Sequence, residues 1–188
     1  WNLHNSGDEA IAKTARKGAD VGVLDAWKLC AGSPDVIVAV LDGPVQYTHP
    51  DLAASMWVNE AEANGQEGID DDGNGYVDDV HVYNFAHNGR VTWTRSGDQG
   101  HGTHVAGTVA AVNNNGIGVC GVAGGDGSGN NGVRIMSIQI FDGGDRGDLN
   151  TNAKGIEYAA DNGACILQNS WGYNSERGPK SDSAYSTG

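Results

Sequence analysis

The sequence predicts an α/β fold in which a doubly wound, mostly parallel sheet is flanked by helices. Three short apolar runs have the composition of strands that are buried on both faces. Amphipathic helical patterns lie between these runs, and alternation of strands and helices is typical of this fold class. The chain has 188 residues, of which 38% are hydrophobic, so a single domain spanning residues 1–188 is expected.

The predicted strands cover residues 36–41, 133–141 and 164–168. Helices are predicted at residues 24–31, 101–112 and 152–162. The second helix places five apolar residues on one face: Val105, Ala106, Val109, Ala110 and Val112. The third does the same with Ala153, Ile156, Ala159 and Ala160, and Gly163 stands where a helix C-terminus favours glycine.

Composition excludes several classes of function. There are 11 Lys and Arg against 24 Asp and Glu, a net charge of −13, which disfavours binding to nucleic acid or an anionic membrane. The longest apolar run, residues 36–41, is far too short to cross a bilayer. The odd number of cysteines, with no CxxC pair, argues against a disulfide framework and a zinc ribbon. Cys120 and Cys165 are expected to be small core residues.

Polar residues are predicted to meet at one edge of the sheet. Asp42 and Ser170 each lie just beyond a predicted strand, and His101 opens a helix. Ligands of open α/β sheets bind at this carboxyl edge. Asp42 is either a turn carboxylate or one that orients an imidazole, and His101 suits a general base. A metal pair of His101 with His104 is less favoured because the carboxylate of an HExxH helix is missing, so His104 is expected to be a packed structural histidine.

Three segments closely resemble the motifs of the subtilisin-like serine proteases, or subtilases. They are VIVAVLDGPVQYTHPDL with Asp42, HGTHVAGTVAAVNNNGIGVCGVA with His101, and ILQNSWG with Ser170. The resemblance implies that Asp42 is the triad aspartate, which holds His101, the general base. It also implies that an edge segment pairs with an extended polypeptide substrate, opposite a second wall. The implied substrate-binding residues are Ser170, Trp171 and Gly172 on the edge, and Arg146 and Gly147 on the wall.

The chain departs from the family pattern in two respects. Gly43 and Pro44 follow Asp42, where the family usually has Thr or Ser and then Gly. No GTSMA-type nucleophile motif occurs in the sequence, and no Gly-Asn motif of the oxyanion hole follows Ser170. The resemblance therefore implies the N-terminal part of one catalytic domain, an incomplete subtilisin-like sheet, with the catalytic serine on a downstream segment or a second chain. A shortened piece of the enzyme and a natural pseudoenzyme fragment are the alternatives.

An acidic stretch predicts a calcium site. Asp70, Asp72 and Asn74 stand at positions 1, 3 and 5 of an EF-hand-type loop, and glycine follows at position 6. Position 12 is His81 rather than the usual Glu. The predicted ligands are the side chains of Asp70, Asp72, Asn74, Asp78 and Asp79 and the carbonyl of Tyr76. The alternative is a solvated acidic loop. The resemblance implies a second calcium site at Asp51 and Asn114 with the carbonyls of Val112, Ile117 and Val119.

The expected function is that of a secreted, periplasmic or cell-surface serine endopeptidase that uses calcium as a stabilising ion. One alternative is a catalytically inactive, calcium-binding module that binds peptides at the same edge. A weaker alternative is a metallohydrolase that uses His101 and His104.

Overall fold

The computed structural model describes residues 2–10, 13–91, 93, 100–129, 131–141 and 149–172. Within these residues the strands are β1 (Ile37–Asp42), β2 (Tyr83–Asn84), β3 (Gly89–Arg90), β4 (Arg134–Gln139) and β5 (Ile166–Asn169). The α-helices are α1 (Val23–Ala26), α2 (Glu60–Ala63), α3 (His101–Ala110) and α4 (Leu149–Asp161), and Ala53–Ser55 forms a single 3₁₀ turn.

The described strands form one sheet in the order β3-β2-β4-β1-β5. Strand β1 is central and pairs in parallel with β4 and β5, β2 is parallel to β4, and only the short β3 runs antiparallel. Asp42 is paired with Gln139, and Leu41 with Asn169. The carboxyl ends of β1, β4 and β5 therefore lie side by side, which confirms the predicted doubly wound, parallel sheet.

Helices cover both faces of the sheet. Ala106 and Ala110 of α3 pack with Val38, Val40 and Ile135 on one face. On the other face, Tyr158 and Ala159 of α4 pack with the alternate residues of the strands, which are Ala39, Leu41, Met136, Ile138 and Ile140. Because successive strand residues point to opposite faces, the apolar runs fill both cores.

The prediction for the buried face of α4 was correct only for Ala159. Ala153 and Ile156 are exposed, whereas the buried residues are Asn152, Gly155, Tyr158 and Ala159. A Cβ atom on Gly155 would lie 2.8 Å from a methyl group of Ile138, so glycine lets this side of the helix approach the sheet closely. The helix does end as predicted, with Gly163 at a φ of 81°, a conformation that glycine adopts without strain.

Two further expectations need correction. Cys120 and Cys165 are exposed rather than part of the core, and so is Cys30. The helix predicted at residues 24–31 is a single turn, Val23–Ala26. Among the described residues, no helix has the length and hydrophobicity needed to cross a membrane.

Candidate active site

A carboxylate and an imidazole form the centre of the site. Asp42 is the last residue of β1, and His101 is the first residue of α3. Nδ1 of His101 lies 2.8 Å from each carboxylate oxygen of Asp42. The Asp42 side chain is 5% exposed and the His101 side chain is 55% exposed. This geometry leaves Nε2 of the imidazole as the nitrogen that is not directed at Asp42.

The backbone around the pair fixes its geometry. The Gly43 amide donates to Oδ1 of Asp42 at 2.7 Å, and this hydrogen bond helps to hold the buried carboxylate. The backbone N–H of Gln46 donates to Oγ1 of Thr103. This hydrogen bond connects the segment after β1 to the first turn of α3. A Cβ on Gly102 would collide with the carbonyl oxygen of Gly43, so only glycine allows the helix to begin this close to the strand.

Replacing Gly102 with alanine is expected to push α3 away from β1 and separate the imidazole from Asp42. Overpacking of this kind destabilises a protein by about 1–3 kcal/mol, and displacement by about 1 Å lowers activity by roughly 100-fold. Urea unfolding and peptide hydrolysis measure the two effects. The matched control is Gly107→Ala on the same helix, where the added Cβ meets no atom within 4 Å. That change should be neutral or stabilising, and an equal loss in both variants would contradict a role for the close approach.

Three of the predicted substrate residues follow β5 at the same sheet edge. Ser170, Trp171 and Gly172 are all exposed, and the Ser170 hydroxyl exchanges hydrogen bonds with the Gln168 amide. The Trp171 ring meets Phe141 edge to face, with centroids 5.8 Å apart. Arg146 and Gly147, predicted for the opposite wall, lie outside the described residues. Phe141, which the sequence analysis did not single out, therefore packs against this edge. We call the Phe141–Trp171 contact the rim of the edge.

The acidic loop, residues 70–79, lies beside helix α2, and three carboxylates meet there. One oxygen each of Glu62, Asp70 and Asp72 lie within 4.8 Å of one another. Glu62 is buried and accepts hydrogen bonds from the amides of Asp71, Asp72 and Asp78. Sequence reasoning missed Glu62, although Asn59 and Glu62 have the spacing of a helix N-cap and its N3 residue. The helix places Glu62 beside Asp70 and Asp72 of the loop.

Other predicted calcium ligands have different partners. Asp78 pairs with Arg90 at 2.8 Å and accepts from the Gly68 amide. Partial burial acts against ionisation of Asp78, but the Gly68 and Arg90 hydrogen bonds outweigh it and lower the pKa of this carboxyl. Asp79 is fully buried and accepts from Tyr158, Asn59 and Asn74. Asn74 directs its amide oxygen to the amide of Tyr76. Only Asp70 and Asp72 of the predicted set thus belong to the carboxylate cluster.

A hydrogen bond between Tyr158 and Asp79 links α4 to the acidic loop. The Tyr158 hydroxyl donates to Oδ2 of Asp79 at 2.6 Å. Burial, reinforced by this bond, raises the pKa of Tyr158. The native state therefore keeps a proton that the unfolded chain loses above about pH 10, so stability should fall as pH rises beyond that value, by up to about 1.4 kcal/mol per unit. Tyr158→Phe should cost about 1–3 kcal/mol at neutral pH and flatten the alkaline loss.

Urea unfolding at pH 7 to 11 measures this effect. Tyr47→Phe is the control, because Tyr47 stacks on His81 and is not part of the aromatic cluster that contains Tyr158. An alkaline slope that Tyr158→Phe leaves unchanged, or that Tyr47→Phe removes, would contradict the assignment.

The residues of the implied second calcium site lie close together, with some differences from expectation. Asp51 is buried, and its carboxylate accepts from the Asn115 side chain at 2.7 Å and the Val119 amide at 2.9 Å. The Val112 amide donates to the carbonyl of Asp51. The Asn114 side chain donates instead to the carbonyl of Asp126. The side chain that reaches Asp51 is therefore that of Asn115, one residue beyond the predicted ligand.

His104 is exposed, so the expectation of a packed histidine was wrong. It lines a cavity of about 650 Å³ between α3, the N-terminal segment and residues 118–120. Among the described residues, the only cluster with metal-ligand spacing is the carboxylate group above, which does not include His101 or His104. The geometry therefore does not support the metallohydrolase alternative.

A parallel α/β sheet that holds a carboxylate–imidazole pair at its carboxyl edge has the fold of a triad hydrolase and two of the three side-chain types of a triad. Residues 33–187 match the Subtilase family, and the chain belongs to that family. It is 35% identical over 136 residues to Subtilisin-like protease 1 of Plasmodium berghei (strain Anka), covering 72% of this chain and 21% of that protein.

Other relatives agree with this assignment. Thermitase of Thermoactinomyces vulgaris is 31% identical over 147 residues, which cover 78% of this chain and 40% of thermitase. The crystal structure of fervidolysin from Fervidobacterium pennivorans, a keratinolytic enzyme related to subtilisin, superposes with a TM-score of 0.50 at 30% identity, covering 80% of this chain and 19% of fervidolysin. The chain thus spans less than half of the length of each of these relatives.

Proposed function

We propose that this chain is the N-terminal part of the catalytic domain of a serine endopeptidase. The observation that carries the proposal is the pair of 2.8 Å contacts between Nδ1 of His101 and the carboxylate of Asp42. A buried carboxylate on Nδ1 fixes the imidazole so that Nε2 is available for proton transfer. Family membership and the Asp-then-His order along the chain support the same role.

In this mechanism, Nε2 of His101 takes the proton of a serine hydroxyl as the oxygen attacks the scissile carbonyl of a polypeptide. Asp42 stabilises the imidazolium that forms, and the proton then passes to the leaving amine. This sequence contains no GTSMA-type motif. The serine and the oxyanion-hole donor therefore come from a segment outside it. Support for a covering segment comes from β5, where Ile166 is 51% exposed although strands of parallel sheets are normally covered on both faces.

Polypeptide substrate binds in extended form along residues 170–172. Backbone pairing to an exposed edge gives affinity with loose sequence preference, and side-chain contacts add selectivity. The apolar contact between Phe141 and Trp171 offers a surface for a non-polar substrate side chain. Arg146 and Gly147 would form the opposite wall.

Calcium fits the carboxylate cluster of Glu62, Asp70 and Asp72. Calcium takes oxygen ligands at about 2.3–2.6 Å, and an oxygen separation of up to 4.8 Å is compatible with a shared ion. A bound cation would also offset the mutual repulsion of these carboxylates. The role we assign to it is stabilisation of the native state by mass action. The acidic surface, with a net charge of −13, and this calcium loop favour a site of action outside the cytoplasm.

A fluorophosphonate probe that reacts with activated serines tests the proposal. The full-length protein should be labelled, and His101→Ala should abolish labelling while leaving the folded state intact by circular dichroism. Peptide binding without labelling or turnover would instead identify an inactive peptide-binding module. Labelling that is independent of His101 would rule out the proposed triad.

A further inference from the structure

Gln139 lies beside Asp42 and contacts Phe141 at the rim of the substrate edge. It is the last residue of β4 and is paired in register with Asp42 of β1. Its side chain is almost wholly buried, at 2% exposure. The amide nitrogen donates to the carbonyl oxygen of Phe141 at 3.2 Å. One side chain therefore connects the strand next to Asp42 with Phe141.

Phe141 stands where the ladder between β1 and β4 ends. The carbonyl of Asp42 accepts from the amide of Ile140 at 2.9 Å and from that of Phe141 at 3.4 Å. Beyond this point, the Gln139 side chain supplies a donor to the Phe141 carbonyl that the ladder no longer provides. Because the Phe141 ring contacts Trp171 across the edge, the orientation of this residue affects both sides of the rim.

The amide of Gln139 is not fully satisfied. Its Oε1 atom is buried and has no hydrogen-bond partner among the described residues. A buried acceptor without a partner destabilises the native state, whereas an apolar side chain of the same length would not. Packing alone therefore does not explain the amide at this position, and the contribution left to it is the hydrogen bond to Phe141.

We propose that Gln139 is a positioning residue that holds the Phe141 carbonyl and, through it, the Phe141–Trp171 rim, so that an extended substrate aligns with the Asp42–His101 pair. This inference rests on the proposed endopeptidase function. It assigns Gln139 no contact with the reacting atoms.

The test is Gln139→Met in the full-length protein, because methionine matches the length of glutamine and cannot donate. The KM for a peptide long enough to run along residues 170–172 should rise roughly 3- to 10-fold, the loss expected for one hydrogen bond. The kcat for a short ester that does not reach the rim should be unchanged. The melting temperature should be unchanged or higher, because the unpartnered acceptor is removed. Gln139→Leu is the second variant if the first does not fold.

Ser137→Ala is the matched control. Ser137 lies two residues earlier on the same strand, points to the same face, is fully buried and has an unpartnered hydroxyl. This change should leave both the KM for the peptide and the kcat for the ester unaltered. Unchanged KM for Gln139→Met, or an equal loss on both substrates, overturns the positioning role alone. If the unmodified protein hydrolyses neither substrate, the proposed function fails and this inference fails with it.

Discussion

Replacing His101 with alanine should lower kcat for peptide hydrolysis by about 10⁶-fold, the magnitude measured for the equivalent histidine in subtilisin, a member of this family. Without the imidazole, no group accepts the serine proton, and substrate binding at the sheet edge remains. KM should therefore change little. Steady-state hydrolysis of a chromogenic peptide by the full-length protein measures both constants.

Asp42→Asn should lower the same rate by about 10⁴-fold, because an amide stabilises the wrong imidazole tautomer and cannot stabilise the imidazolium. His104→Ala is the matched control, since His104 lies on the same helix and is exposed. It should keep nearly full activity. A protein in which His104→Ala is inactive and His101→Ala is active would disprove the catalytic assignment.

Calcium removal should cause the largest change in stability. An ion that binds only the native state at about 100 times its Kd contributes about 2.7 kcal/mol. Chelation should therefore lower the melting temperature and speed unfolding, and the increment should scale with the logarithm of calcium concentration. Differential scanning calorimetry over a calcium titration measures this dependence.

Measuring Glu62→Gln with and without calcium distinguishes the stabilisation by a bound ion from that by the hydrogen bonds that Glu62 accepts. The substitution should reduce the calcium-dependent rise in melting temperature, whatever its effect without calcium, because one of the three clustered carboxylates is neutralised. Glu60→Gln is the control, since Glu60 lies exposed on the same helix and is not part of the cluster. A calcium increment that is equal in both variants would exclude Glu62 as a ligand.

Local patterns predicted the framework of the fold well. The apolar run before Asp42 and the helical face of α3 specify a strand and a helix because each must bury its apolar residues. Helix α4 was predicted, but most of its predicted buried face was wrong, since the helical period alone does not show which face meets the sheet. Ala153 and Ile156 form an apolar stripe, but the absence of a side chain at Gly155 determined the contact.

The acidic loop, too, was predicted from the sequence only in part. Its aspartates and their spacing are visible in the sequence, and two of them, Asp70 and Asp72, do form a cluster. The third member, Glu62, comes from a neighbouring helix, and Asp79 turns inward to Tyr158, which is 79 positions away. Such long-range partners depend on packing between elements, to which the spacing of residues within a loop is insensitive.

By itself the sequence determined the class of the sheet and the place of Asp42 and His101 at the ends of their elements, and it selected these two residues as the candidate catalytic pair, because these inferences follow from apolar periodicity and specific local motifs. Only the tertiary structure decided that the two side chains meet at 2.8 Å, that Gly102 permits this approach, and that Gln139 reaches Phe141. These contacts join separate elements, and their distances are set by how the helices and strands pack against one another.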